Sequence, residues 1–203
     1  MNTNEQWQIA RHVWDTAAHE LNRLSGEMEP AVFSRCVTML AGCSGRIVTS
    51  GCGTSATAAR KIAHSLSCIE RPSFFLTPSD AVHGALGSVQ PGDVAILISK
   101  GGGTSELVSM LPAFATKQIP VVAVTENADS PLAKAAELVV PIRIEREADE
   151  FNMLATTSTM AVIAWFDAVC VALMRDTGYS REQFAVIHPG GAVGERLLGN
   201  EKQ

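Results

Sequence analysis

Five short runs of apolar and β-branched residues, Arg46–Ser50, Ser73–Thr77, Asp93–Ser99, Pro120–Thr125 and Leu138–Ile144, alternate along the chain with stretches of helical character. No other feature limits the possible folds so strongly. Runs that are apolar at consecutive positions suit strands covered on both faces, as in a parallel sheet between two helical layers. The intervening helices are predicted at Ser55–Ser67, Pro78–Leu86, Thr104–Lys117 and Pro131–Ala136. Right-handed crossovers through them give an α/β three-layer sandwich with a five-stranded parallel sheet.

Helices flank this core. Trp7, Ile9, Ala10, Val13, Trp14, Ala17, Ala18, Leu21 and Leu24 recur at three- and four-residue steps before Gly26, and a second helix runs from Pro30 to Gly42. A long helix is predicted from Thr156 to Arg175, ended by Gly178; the last segment, Ser180–Leu198, is broken at His188-Pro189-Gly190-Gly191. With no repeat, low-complexity tract or linker, residues 1–203 read as a single domain, helical over 1–45 and an α/β sandwich over 46–203.

Composition narrows the function classes. With 46% hydrophobic and 18% charged residues the chain can bury a core, which excludes disorder. A net charge of −5 supplies no broad field for nucleic acid, though it leaves room for a local anion site. Met1–Arg11 lacks the apolar core of a signal peptide, and the run Ala161–Met174 contains Asp167 and falls short of the roughly 20 residues of a membrane span. Five scattered cysteines without a CxxC suit reduced thiols rather than disulfides or a zinc cage. The expectation is a cytoplasmic protein with neither nucleic-acid nor membrane partners.

In an open α/β sheet, ligands bind beyond the carboxyl ends of the strands, near helix N-termini. Two turns there are rich in small and hydroxyl residues: Ser50-Gly51-Cys52-Gly53-Thr54-Ser55 after the first strand, and Ser99-Lys100-Gly101-Gly102-Gly103-Thr104-Ser105 after the third. Glycines let backbone N–H groups converge, hydroxyls add donors, and the helix dipole favours an anion. A phosphate ester is the expected ligand, held by Gly51, Gly53, Thr54, Ser55, Ser99, Lys100, Gly101, Gly102, Thr104 and Ser105. Neither turn is a Walker loop or a GxGxxG, and no acidic residue ends the second strand to hold a ribose, so a smaller phosphorylated ligand is favoured over a nucleotide.

Gly51-Cys-Gly-Thr-Ser55, Ser99-Lys-Gly-Gly-Gly-Thr104 and His188-Pro-Gly-Gly-Ala-Val-Gly194 resemble the sugar isomerase (SIS) domain, in particular its KpsF/GutQ-type branch of D-arabinose 5-phosphate isomerases. Pro72–Leu76, His83–Gly87, Arg146–Ala148 and Thr156–Thr159 support the likeness. Many members continue into paired CBS domains, and a chain ending at Gln203 resembles the short form without them.

The resemblance implies a flavodoxin-like sandwich and aldose–ketose isomerisation of a phosphorylated sugar through a cis-enediol. Such a reaction moves protons between C1 and C2 and between O1 and O2 and needs no cofactor. By matching positions it implies Glu147, His83 and His188 as catalytic residues, with Glu147 or His188 the carbon base. It further implies tetramers with sites between subunits, so that His188 or His83 acts on a neighbour's ligand. His12, His19 and His64 read as structural.

The chain departs from that pattern. Thr54 stands where the family usually has Lys, Gly101-Gly102-Gly103 where it has Ser-Gly-Glu, Ala85 where an Asp follows the His-Gly pair, and Asp149 where a Cys follows the Glu-Ala pair. Lys100 is expected to restore the charge missing at Thr54 from another strand. Loss of the Cys and the Glu removes ligands for zinc, so no metal is expected. The substrate can accordingly be another pentose or hexose phosphate. Two alternatives remain: a non-catalytic SIS domain that senses a sugar phosphate, and a lyase or etherase acting on N-acetylmuramic acid phosphate.

Overall fold

A computed structural model describes residues 1–190 of the chain. Its sheet is five-stranded and entirely parallel: β1 (Ile47–Gly51), β2 (Ser73–Phe75), β3 (Val94–Ile98), β4 (Val121–Val124) and β5 (Leu138–Val140), in spatial order β2-β1-β3-β4-β5. This is the expected doubly wound α/β sandwich, with its topological switch point between β1 and β3. Every residue of β1, β3 and β4 is buried, the environment their unbroken apolar runs require.

Side-chain alternation divides the strands between two cores. Ile47, Ile96, Ile98, Val122 and Val124 face one layer, and Val48, Ala95, Leu97, Val121 and Ala123 the other. Against the first face pack α3 (Thr54–Ser67), α8 (Thr157–Asp176) and α2 (Pro30–Ala41), the last against β5, with the C-terminal part of α1 (Thr3–Glu27) laid over α8. The second face carries α4 (Pro78–Ala81), a 3₁₀ turn (Ala85–Ser88), α5 (Ser105–Val108), α6 (Leu111–Thr116) and α7 (Pro131–Ala135). By length and composition α8 is apolar enough to cross a bilayer, but here it packs on α1, α2 and α3, with Ala161, Trp165, Phe166, Val169 and Leu173 buried.

The chain punctuates its helices more often than the apolar period predicts. The single helix expected over Thr104–Lys117 is two, because Pro112 cannot donate to the carbonyl four residues back and its ring crowds it. The helix expected over Pro78–Leu86 stops at Ala81, and Gly84 turns the chain at φ +114°. β5 ends at Val140 rather than at Ile144, since Pro141 brings no N–H to the ladder. α9 (Arg181–Ile187) starts at a capping box formed by Ser180 and Gln183. The remainder of the segment expected to reach Leu198, and with it residues 191–194 of the His-Pro-Gly-Gly motif, lies outside the described residues.

Trp7, Ile9 and Trp14 also depart from the buried positions their spacing suggests. They are more than half exposed on α1, where Trp7 and Trp14 pack edge to face at 5.5 Å.

Candidate functional site

The carboxyl ends of β3 and β4, the stretch after β5, and the N-terminal turns of α3 and α8 enclose a cleft of about 210 Å³. Ile98, Val124, Ile142, Ile144, Ala155 and Val162 make its apolar walls; Thr54, Ser55, Thr125, Ser158 and Thr159 supply hydroxyls; among the described residues Lys100 is the one charged side chain lining it.

Two glycines shape the entrance to α3. A Cβ on Gly51 would lie 2.9 Å from the Ser55 backbone, so glycine lets the helix start immediately at the strand end. Gly53, the N-cap, sits at φ +57°. The first helical N–H groups, those of Thr54 and Ser55, have no acceptor among the described residues, whereas Ala56 N–H is bonded to Cys52 and Gly53. α3 is 14 residues long, and its open N-terminus with two adjacent hydroxyls is suited to an anion.

The second turn is organised differently from its sequence. Ser99 Oγ hydrogen-bonds Thr104 Oγ1 at 2.8 Å and accepts from Gly102 N–H at 3.1 Å, so both hydroxyls hold the loop itself. Gly102, at φ +67°, packs against Ser130, whose Oγ would lie 2.1 Å from any Cβ there. Ser105 Oγ donates to Glu106. Gly101 and Gly103 leave open space. Of this turn only Lys100 reaches the cleft, its backbone carbonyl pinned by Thr125 Oγ1 and Glu126 N–H.

Glu147 is the buried carboxylate beside the cleft, 2% exposed. Its Oε2 accepts from Thr156 N–H at 3.0 Å and Ser158 N–H at 3.1 Å, which ties it to the N-terminus of α8. Its Oε1 faces Lys100 Nζ at 3.5 Å, and the same ammonium lies 3.7 Å from Glu126 Oε1. Burial alone would raise the Glu147 carboxyl; the Ser158 and Thr156 donors and the Lys100 charge outweigh it, so its pKa is lowered. Glu147 is thus a carboxylate held in its ionised form by a helix end and a cation.

Asp149 is not an added charge in the cleft. Its carboxylate accepts from Phe151, Met153 and Leu154 N–H at 2.8–3.0 Å, so it closes its own loop, and those bonds lower its pKa against a desolvation that would raise it.

His83 and His188 do not meet Glu147 within one chain. His83 is exposed in the turn after α4, on the other face of the sheet, and does not line the cleft. His188 ends α9, stacked on Phe184 at 3.9 Å with Nδ1 2.9 Å from the Phe184 carbonyl. Tyr179, just before α9, donates to the Cys68 carbonyl at the far end of α3. α3 spans about 21 Å at 1.5 Å per residue, so His188 sits near the opposite end of the sheet from the cleft.

Sequence reading missed Glu126, although an acidic residue directly after a strand end is a usable signal. It also missed the role of α1. Glu20, buried, accepts from Arg23 at 2.8 Å and from Glu145 N–H at 3.0 Å, anchoring the loop two residues before Glu147. His19, Glu20 and Glu145 have the proximity of a metal-binding cluster, with the Arg23 guanidinium supplying positive charge among them.

A parallel sheet whose carboxyl edge carries a helix N-terminus, a lysine and a helix-bound carboxylate defines an α/β sandwich with a polar cleft at its switch-point edge. The chain belongs to the SIS domain family, whose model matches residues 39–172. It is 38% identical over 168 residues to the Salmonella typhi arabinose 5-phosphate isomerase GutQ, covering 83% of this chain and 52% of that protein. It is 40% identical over 163 residues to the Pseudomonas aeruginosa arabinose 5-phosphate isomerase KdsD, covering 80% and 50%. The chain thus spans about half the length of the curated relatives it matches. Among solved structures, a Listeria monocytogenes protein provisionally described as a sugar-phosphate isomerase is 50% identical with a TM-score of 0.92, over 94% of this chain and all of that one. E. coli CFT073 c3406, solved in complex with arabinose 5-phosphate, is 31% identical with a TM-score of 0.89, over 93% of this chain and all of that one.

Proposed function

We propose that the chain is an aldose–ketose isomerase of a phosphorylated sugar, working through a cis-enediol, with arabinose 5-phosphate and ribulose 5-phosphate the first pair to test. The observation that carries this reading is a cleft lined by the N-terminus of α3 and by Lys100, with the buried carboxylate of Glu147 directly behind the lysine. The relatives named as arabinose 5-phosphate isomerases, and the c3406 complex with that sugar phosphate, support the choice of substrate.

In this reading Thr54 and Ser55 hold the phosphate through their N–H groups and hydroxyls. Glu147, ionised at neutral pH, takes the proton from one carbon and returns it to the next; the apolar walls exclude water from the enediolate. No redox group is needed, because the oxidation at one carbon balances the reduction at its neighbour. His83 and His188 serve the cleft of another copy in a tetramer, assisting ring opening or proton shuttling between the oxygens. The exposed Trp7, Ile9 and Trp14 on α1 and Val171 on α8 offer apolar surface for such an assembly.

The purified chain is incubated with a panel of aldose and ketose phosphates in D₂O, and C2–H exchange is followed by proton NMR. Exchange with one sugar phosphate establishes the enediol chemistry and the substrate together. Absence of exchange with every sugar, alongside a ligand-induced rise in melting temperature, replaces the isomerase with a sugar-phosphate sensor.

A further inference from the structure

Resting on the isomerase reading, the geometry points to Lys100 as the electrophile of the cleft: its ammonium leaves Glu147 when substrate binds and stabilises the oxygen that becomes anionic in the enediolate.

Three observations carry this. Glu147 Oε2 is committed to the N-terminus of α8, so Oε1 is the oxygen free to take a proton, and its charged neighbour is Lys100 Nζ at 3.5 Å. Glu147 does not itself line the cleft, whereas Lys100 does, so the ammonium must give way before a substrate carbon reaches Oε1. Lys100 also has a second partner to move toward: its side chain is half exposed, its backbone is fixed, and Glu126 Oε1 lies 3.7 Å from Nζ.

A carbon within reach of Oε1 places the oxygen on that carbon or its neighbour within reach of Nζ. The open N-terminus of α3 already provides the phosphate site, leaving the lysine for the reacting end. The step balances. Glu147 removes the proton from C2 of the aldose, the C–H pair becomes the C1–C2 double bond, and the carbonyl pair moves onto O1, where Lys100 compensates the charge. Glu147 then returns the proton to C1, while the O2 proton passes to O1 and the O2–H pair forms the C2=O2 bond of the ketone.

Steady-state kinetics and C2–H exchange are measured for the full chain and for Lys100→Met, Lys100→Gln and Lys100→Arg, with folding checked by circular dichroism. The expected result for Lys100→Met and Lys100→Gln is a fall in kcat on the order of 10²-fold with KM little changed, partly rescued in Lys100→Arg. The acid limb of kcat/KM also moves to higher pH, since Glu147 loses the cation that favours its ionised form. The charged groups around the pair are Glu126 just after β4 and, in the Glu147 loop, Arg146, which donates to the Glu147 carbonyl. A raised KM with kcat intact would make Lys100 a phosphate clamp and overturn the assignment, as would kcat and the acid limb both staying in place. An unmodified chain that exchanges no sugar proton overturns the isomerase reading first, and the electrophilic role with it; normal exchange in the lysine variants overturns only the latter.

Discussion

Single residues set the site's tolerance. Gly102 combines a positive φ with a space already filled by Ser130, so Gly102→Ala is expected to lose about 2 kcal/mol or more, read as a lower denaturation midpoint. Gly101 and Gly103, where a Cβ meets nothing, are expected to tolerate alanine with far smaller effects in the same experiment. Glu147 gives a pH-dependent prediction. Its pKa is lowered on folding, so its contribution to stability is fully present above the ordinary carboxyl value of 4.5 and is lost as pH falls through the lower native value. The melting-temperature advantage of the unmodified chain over Glu147→Gln should therefore be constant near neutrality and shrink only in acid. A constant difference down to about pH 2 would show that the advantage is not ionic.

Among the elements, α1 does more than its amphipathic pattern suggests. Its Glu20 reaches across to the backbone of Glu145 and holds the loop that delivers Glu147 to the N-terminus of α8. Glu20→Ala leaves that N–H and the Arg23 guanidinium short of a partner, at an expected cost of about 1–3 kcal/mol. Amide exchange should accelerate selectively from Glu145 to Thr156; uniform acceleration across the sheet would refute a local anchoring role. α2 and α8 illustrate the opposite case, a plain packed interface: burial pushes the thiols of Cys36 and Cys170 up to about 12, which keeps them protonated. Pro112, Gly84 and Pro141 were visible in the sequence as breakers, yet their positions carried less weight than the apolar period.

At the scale of the whole molecule, the separation of Glu147 from His188 makes assembly testable through activity. If His188 completes a neighbour's cleft, Glu147→Gln and His188→Ala chains are each inactive alone, and mixing them after dissociation restores about a quarter of the sites. No recovery, in a mixture shown to form hybrid oligomers, would leave His188 out of the reaction.

The fold was legible because five apolar runs separated by helical stretches admit few arrangements, and chirality selects among those. The two turns were legible as turns because glycine and hydroxyl residues cluster at strand ends. Their division of labour was not: Ser99 and Thr104 read as ligand donors but satisfy one another. A short polar side chain bonds whichever backbone group the local geometry brings first, and periodicity does not record that choice. Lys100 and Glu126 follow two strand ends and Glu147 lies in the loop before α8, 47 residues apart between the first and the last, so their pairing exists only once the sheet has assembled in the order β2-β1-β3-β4-β5. The sequence by itself determined the strands, the glycine turns and the supply of an acid and a base. Tertiary structure decided which oxygen of Glu147 is free, which cation faces it and which histidines stand apart, because those depend on distances between segments that only sheet closure and helix packing fix.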